Sequence, residues 1–218
     1  MPANRRLALD CATGSGQAAR GLAEHFERVI ATDASAAQIS QATLQNGIEY
    51  RVAAAESSCL PDASVDLLTV AQGLHWLDQA RFFAEARRVL KSDGAIAVWG
   101  YGDPVLDSPE LESTLHHFNR VTIESYWLPE RQLLLDGYTT IDFPFREIET
   151  PSFTLERSLT LPQLFGYVRS WSATARFVEK NGLDGLEKLA DDLGRLWGDP
   201  EQSRLVRAPL FLRAGYPN

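Results

Sequence analysis

The sequence predicts an α/β fold, a mostly parallel sheet wound on both faces by helices, and three observations carry that expectation. Short apolar runs alternate with segments of helical periodicity through about the first hundred residues. The first run, Leu7 to Cys11, meets Thr13-Gly14-Ser15-Gly16 and then small and apolar residues at helical spacing from Gln17 to Phe26, which reads as strand, tight turn, helix. The second run, Arg28 to Thr32, closes on Asp33, with Ser35 placed to cap a helix from Ala36 to about Gln45.

The remaining elements follow in order. Tyr50 to Ala53, Val65 to Ala71 and Ala95 to Trp99 read as further strands, the last preceded by a helix from Arg81 to Leu90 and a turn at Asp93-Gly94. Strands alternating with helices imply a parallel sheet covered on both faces. From Gly102 to Gly137 the chain reads as loop and helix, and Asp142 to Glu149 as a strand interrupted by Pro144. Leu161 to Val178 is an aromatic-rich helical stretch, Leu183 to Trp197 repeats leucine at helical spacing, and Ser203 to Arg213 is a last strand-like run. No repeat or low-complexity linker divides the sequence. It predicts a single domain, with 1–102 as the cofactor-binding half and 103–218 as a substrate cap, inserted late, plus completion of the sheet.

Composition narrows the functional classes. The 218 residues are 44% hydrophobic and 23% charged, enough for one globular domain with a sizeable core. Acidic residues outnumber basic ones 29 to 21, for a formal charge of -8, and no run of Lys or Arg could neutralise a phosphate backbone, so nucleic acid is not the expected partner. Cys11 and Cys59 stand alone, without a CxxC pair or a zinc cage, so no metal is expected and a reducing compartment is. No apolar run is long enough for a membrane span, and Asp10 and Gly14 interrupt any signal-peptide core. These features predict a cytoplasmic protein acting on a small molecule, with oligomerisation left open.

In Asp10-Cys11-Ala12-Thr13-Gly14-Ser15-Gly16, small residues at alternate positions let the backbone turn sharply and approach a nucleoside-sized ligand. Asp33, ending the next strand, is placed to accept both ribose hydroxyls. Gly14-x-Gly16-x-x-Ala19 also satisfies the dinucleotide fingerprint, so the loop alone admits a nicotinamide-dependent oxidoreductase, or a tight turn without ligand. Asp10 discriminates: an acid just before the loop would repel a pyrophosphate but welcome a cationic sulfonium or ammonium group. The alternative for Asp10 is a carboxylate capping loop amides, and Cys11 reads as a small core residue. His75 and Trp76 follow the fourth strand, where a doubly wound sheet presents residues to its ligand. His75 would orient or deprotonate an acceptor, or the pair packs under the next helix. Arg169 offers a planar fork for a carboxylate beside Trp171, or is a solvated side chain beside a core one. Tyr101, Tyr126 and Trp127 are further candidate walls.

Leu9 to Gly16 resembles the first motif of the class I S-adenosylmethionine-dependent methyltransferases, and Ile30 to Ser35 resembles their second. Ala54-Ala55-Glu56, Leu60 to Asp66, Ala71 to Trp76 and Phe83 to Gly94 are similar to the type 11 methyltransferase domain, and Tyr167 to Ser172 and the closing strand to its trans-aconitate methyltransferase-like branch. The resemblance implies a seven-stranded Rossmann-like sheet, its last strand antiparallel, binding S-adenosylmethionine at the carboxyl ends of the strands. Asp10, Ala12, Thr13, Gly14, Ser15 and Gly16 would line the methionine side. Asp33 would hold the ribose, Ala34 the adenine, and Ala55 with Glu56 its amino edge. Gln72, Gly73 and His75 would lie beneath the sulfonium, with Trp76, Tyr101, Arg169 and Trp171 toward the acceptor. It implies methyl transfer to a small molecule, with the carboxylate of an organic acid as the expected acceptor.

Ala12 stands where this family usually has its first glycine, and Ala54 where many relatives carry an acid. The family also has a helical stretch before its first strand, whereas six residues precede Leu7 in this sequence. The expectation that follows is weaker donor binding, donor binding completed by another subunit, or a non-catalytic S-adenosylmethionine-binding module.

Overall fold

The computed structural model describes residues 4–218. In chain order the strands are β1 (Leu7–Cys11), β2 (Arg28–Asp33), β3 (Ile48–Val52), β4 (Val65–Ala71), β5 (Leu90–Tyr101), β6 (Val105–Leu106), β7 (Arg146–Ile148), β8 (Phe153–Leu159) and β9 (Arg204–Tyr216). The helices are α1 (Gln17–Leu22), α2 (Ala36–Ser40), α3 (Gln79–Val89), α4 (Pro109–His117), α5 (Arg131–Leu135), α6 (Leu161–Arg169), α7 (Ser172–Asn181) and α8 (Asp184–Trp197). Contacts gather these into two units. One takes the chain up to Tyr101 with Gln132–Phe153 and Leu210–Asn218, and the other takes Gly102–Arg131 and Thr154–Pro209.

In the first unit β1 pairs parallel with β2 and with β4, β2 with β3, and β4 with β5, giving the order β3-β2-β1-β4-β5. Ile96 to Tyr101 then pair antiparallel with Gly215 to Leu210 of β9, and β7 pairs antiparallel with β9 on its other side. This is the seven-stranded, mostly parallel sheet that the resemblance implies. β1 and β4 are buried almost throughout, as central parallel strands covered on both faces must be. One face carries Leu9, Cys11, Leu68, Val70, Ile96 and Val98 against Phe82, Phe83, Ala86 and Val89 of α3. The other carries Ala8, Ala31, Leu67 and Ala95 against Ala19 and Phe26. Asp10 shares the Ala8 face, since side chains two apart on a strand point the same way.

Several elements differ in detail from the sequence reading. The turn expected at Asp93-Gly94 lies inside β5, beside a register shift between Val65 and Leu67. Gly94 fits there because a Cβ would lie 2.8 Å from the Val65 carbonyl. The helix opening at Gln17 ends at Leu22, short of Phe26. The strand read over Asp142 to Glu149 shrinks to β7, because Pro144 lacks a ladder donor and Phe143 and Phe145 turn inward onto Phe83, at 5.7 and 6.0 Å between ring centroids.

In the second unit Val105 and Leu106 of β6 pair with Arg207 and Val206, and the core gathers Leu111, Leu115, Leu164, Val168, Leu189, Leu193 and Trp197. Leu186, Leu189, Leu193 and Trp197 make one buried stripe along α8. The stretch read as one helix over 161–178 is two. Ser170 Oγ donates to the Tyr167 carbonyl at 2.6 Å, and Trp171 adopts an extended conformation before α7 begins.

Candidate functional site

The five parallel strands of the first unit end on one edge, and the loops leaving those ends carry the residues that the sequence nominated there. A chain of contacts ties these loops together. Gly14 N–H donates to Asp33 Oδ2 at 2.9 Å, linking the β1 loop to the end of β2. Gly73, after β4, lies so close to the β1 loop that a Cβ on it would stand 2.8 Å from Ala12 Cβ. Asp78 N–H donates to Glu56 Oε1 at 3.0 Å, joining the loops after β3 and β4. The Gln72 side chain clasps the backbone of Tyr101 at the end of β5, accepting its N–H at 2.7 Å and donating to its carbonyl at 3.2 Å.

The β1 loop turns through left-handed conformations at alternate positions, Ala12 (φ 53°), Gly14 (φ 59°) and Gly16 (φ 83°). At Gly16 a side chain would run into the Tyr50 ring, whereas at Gly14 the nearest atom to an added Cβ is Gln38 Oε1 at 3.9 Å, so the backbone there lies open. Ala12 occupies a conformation that costs a residue with a Cβ about 1–2 kcal/mol, which gives the physical reason the family resemblance implies a glycine at this position.

Asp10 sits beneath this loop, fully buried. Thr13 and Thr69 hydroxyls donate to its two carboxylate oxygens at 2.5 and 2.7 Å. Both oxygens are thus engaged below the surface by hydroxyls, and the backbone of Ala19 in α1 adds a further hydrogen bond. Burial pushes its carboxyl up to about 6, against the hydrogen bonds from Thr13, Thr69 and the Ala19 backbone. Asp33 is different. It is half-buried at the sheet edge, its Oδ1 accepts Ser35 N–H at 2.8 Å, and each oxygen keeps a lone-pair direction for a further donor.

Ser15 is half-buried and its carbonyl accepts from Arg20 at 3.2 Å; Ala34 is exposed and Ala55 buried. His75 is buried in a 3-10 turn over Leu74–Trp76, while Trp76 is 47% exposed. The His75 imidazole contacts a residue the sequence reading did not nominate: Nδ1 lies 3.0 Å from the hydroxyl of fully buried Tyr138. Nothing in the local sequence marks Tyr138, because it reaches the β4 loop from 63 residues away.

Arg169 and Trp171 lie in the second unit and part company: Arg169 is exposed at the last turn of α6, and Trp171 is buried against Tyr167 and Trp127, at 5.6 and 6.0 Å between ring centroids. Tyr126 packs edge-on to Phe177 at 5.3 Å. The buried guanidinium of that unit is Arg131, stacked 3.8 Å over Trp127 and sharing Asp103 with Arg120.

The edge so described is one where glycine turns, a half-buried acid and a buried histidine meet at the ends of parallel strands, and comparison with known proteins agrees with it. Residues 9–98 match the family model described as a methyltransferase domain. A Dictyostelium discoideum protein named "Putative methyltransferase" is 35% identical over 191 residues, covering 87% of this chain and 73% of its own. A Saccharomyces cerevisiae protein named "Probable S-adenosylmethionine-dependent methyltransferase" is 26% identical, covering 81% and 72%. A solved structure described as a "Putative Type II Methyltransferase" from Anaeromyxobacter dehalogenans is 40% identical and superposes with a TM-score of 0.89 over 100% of this chain and 93% of that one. These likenesses set aside the nicotinamide-dependent oxidoreductase that the glycine loop alone admits, and the chain belongs to the class I S-adenosylmethionine-dependent methyltransferases.

Proposed function

We propose that the protein methylates a small organic acid on its carboxylate, with the donor held at the carboxyl edge of the first unit's sheet. The single observation that carries the placement of the donor is Asp33. Its carboxylate is fixed by Gly14 and Ser35 amides yet stays half-exposed beside the open backbone of Gly14. That donor set fits a nucleoside: the remaining lone pairs accept two ribose hydroxyls, and no Cβ at Gly14 stands in the way. Ala34 borders the adenine, and Glu56, one oxygen already held by Asp78 N–H, meets the adenine amino edge with the other. Asp10 contributes a buried negative field beneath the loop, favouring the positively charged methionine end without touching it. Gln72 and Gly73 set the floor beneath the reacting carbon, the first by its clasp on Tyr101 and the second by its fit against Ala12.

The donor, when bound, supplies an activated methyl group, so the protein's task is to position, desolvate and orient. A carboxylate acceptor arrives already ionised at neutral pH and asks for no base. The absence of any Lys or Arg run, with a charge of -8, supports a small acceptor over nucleic acid. No described helix is long and apolar enough to cross a membrane. Arg169, which the sequence nominated to grip the acid, is exposed at the last turn of α6 in the second unit. The test is calorimetry with S-adenosylhomocysteine, followed by a labelled-methyl screen of small acids, alcohols and amines. Binding with transfer to an acid supports the proposal. Transfer confined to alcohols or amines overturns the acceptor, and failure to bind S-adenosylhomocysteine overturns the donor site.

A further inference from the structure

We propose that Tyr138 is a positioning residue that fixes the His75 imidazole in the tautomer carrying its proton on Nε2, so that His75 cannot act as a base through that nitrogen. The inference rests on the proposed donor site and on the place beneath the sulfonium that the family resemblance implies for His75. Tyr138 Oη and His75 Nδ1 are 3.0 Å apart, with the rings 6.0 Å apart between centroids and inclined by 26°. Both side chains are buried, Tyr138 completely. A buried phenol carries one proton and has to donate it, since a buried donor left unmet keeps its whole desolvation penalty. Burial holds the phenol protonated by raising it well above its ordinary range, against a hydrogen bond from the His75 backbone N–H. With that N–H donating to the oxygen, the hydroxyl proton goes to Nδ1. A neutral imidazole that accepts at Nδ1 bears its hydrogen on Nε2, and whatever meets Nε2 must be an acceptor.

The surroundings of Tyr138 hold this geometry against backbone strain. Tyr138 has φ 60°, a left-handed conformation that a bulky residue adopts only when its neighbours impose it. Arg213 imposes it. One guanidinium nitrogen donates to the carbonyls of Tyr138 and Ile141 at 2.7 and 2.8 Å, and the other two grip Glu147 at 2.8 and 2.9 Å. The consequence concerns substrate class. A hydroxyl acceptor, or an amine that arrives protonated, has to surrender a proton in order to react, and this histidine has no lone pair at Nε2 to take it. A carboxylate does not. One of its oxygens supplies the electron pair of the new O–CH3 bond, the C–S pair returns to sulfur, which leaves as a neutral thioether, and no proton is released.

Nitrogen NMR of the full-length protein labelled with 15N-histidine tests the assignment directly. Four histidines are present, and His75→Gln identifies the His75 signals by their disappearance. The expected spectrum at pH 8 has His75 with bare Nδ1 and protonated Nε2, and in Tyr138→Phe the two nitrogens move toward the averaged shifts of a mixed tautomer. Protonated Nδ1 in the wild-type protein overturns the proposal, as does a His75 spectrum that Tyr138→Phe leaves unchanged; if that variant does not fold, the wild-type spectrum alone decides. The acid screen is read separately. The Nε2–H signature with no acid methylated overturns the carboxylate acceptor and leaves the tautomer standing. A protonated Nδ1 with acids methylated overturns the tautomer and leaves the acceptor.

Discussion

Replacing Asp10 by asparagine separates the charge beneath the glycine loop from its shape. The carboxyl is fully buried and titrates at about 6 instead of 3.8, the desolvation of its charged form outweighing the hydroxyls of Thr13 and Thr69. Between those two values the folded protein holds a proton there that the unfolded chain has released. Stability from this group is therefore full below pH 3.8 and falls as pH rises toward 6, and above that the folded state carries a buried anion at a cost of about 3 kcal/mol. Asparagine has no such term and nearly the same volume. Thr13 can donate to its carbonyl, its amide can donate to the Thr69 oxygen, and the Thr69 proton turns to the Leu9 carbonyl, which lies 3.5 Å away. Urea melts of both proteins across pH 4 to 8 should show Asp10→Asn gaining about 2–3 kcal/mol on the wild type over that range, with unchanged m values. A difference that stays constant with pH would mean that the carboxylate titrates as it does in water, and the argument for its buried field would fail. The same substitution is expected to weaken binding of the donor more than that of its thioether product, because the donor carries a sulfonium charge in addition to the α-ammonium that both share.

Three further outcomes follow. Asp33→Ala should weaken S-adenosylhomocysteine binding by about 1.5–3 kcal/mol by calorimetry, the range for charge-assisted hydrogen bonds, and a folded variant of unchanged affinity would remove Asp33 from the ribose. Gly14→Val should remain folded, since the space above it is open, but cost about 1–2 kcal/mol in thermal melts from its φ of 59° and lose product binding; normal binding would make the loop a turn and nothing more. Glu85 anchors Ser58 through both its amide and its hydroxyl at 2.8 and 2.6 Å, and Arg88 holds its carboxyl down to about 2. Its stabilisation is present above pH 4.5 and lost as pH falls toward 2, so Glu85→Ala should cost about 1.5–3 kcal/mol at pH 7 and progressively less in acid, checked by denaturant melts at both ends.

How far the sequence reached depended on the range of the interaction. Thr13-Gly14-Ser15-Gly16, Asp33 and the strand runs of β1, β2 and β4 were legible because turn geometry and continuous apolar burial are written within a few residues. Ser35 was legible as a cap, and its hydroxyl accepts Gln38 N–H at 3.3 Å. The break between α6 and α7 was not, because Ser170 bonding back to a carbonyl leaves the helical spacing of the aromatics intact. Gln72 was nominated as a residue beneath the donor, but its clasp on Tyr101 depends on strands pairing 29 residues apart. Tyr138 and Arg213 were invisible for the same reason: no local pattern distinguishes a tyrosine that meets a distant histidine from any other core aromatic.

The place of β9 in the first unit has a consequence for how the protein is made. Its residues Leu210 to Gly215 supply the partner of β5 and hold β7 on their far side, so a chain synthesised as far as Pro209 contains every parallel strand but leaves β5 with an open edge. An unpaired, apolar edge is a template for joining another chain. The methyltransferase half therefore cannot close while its own first hundred residues emerge from the ribosome; it waits for a segment encoded about a hundred residues later, after the whole second unit has been made.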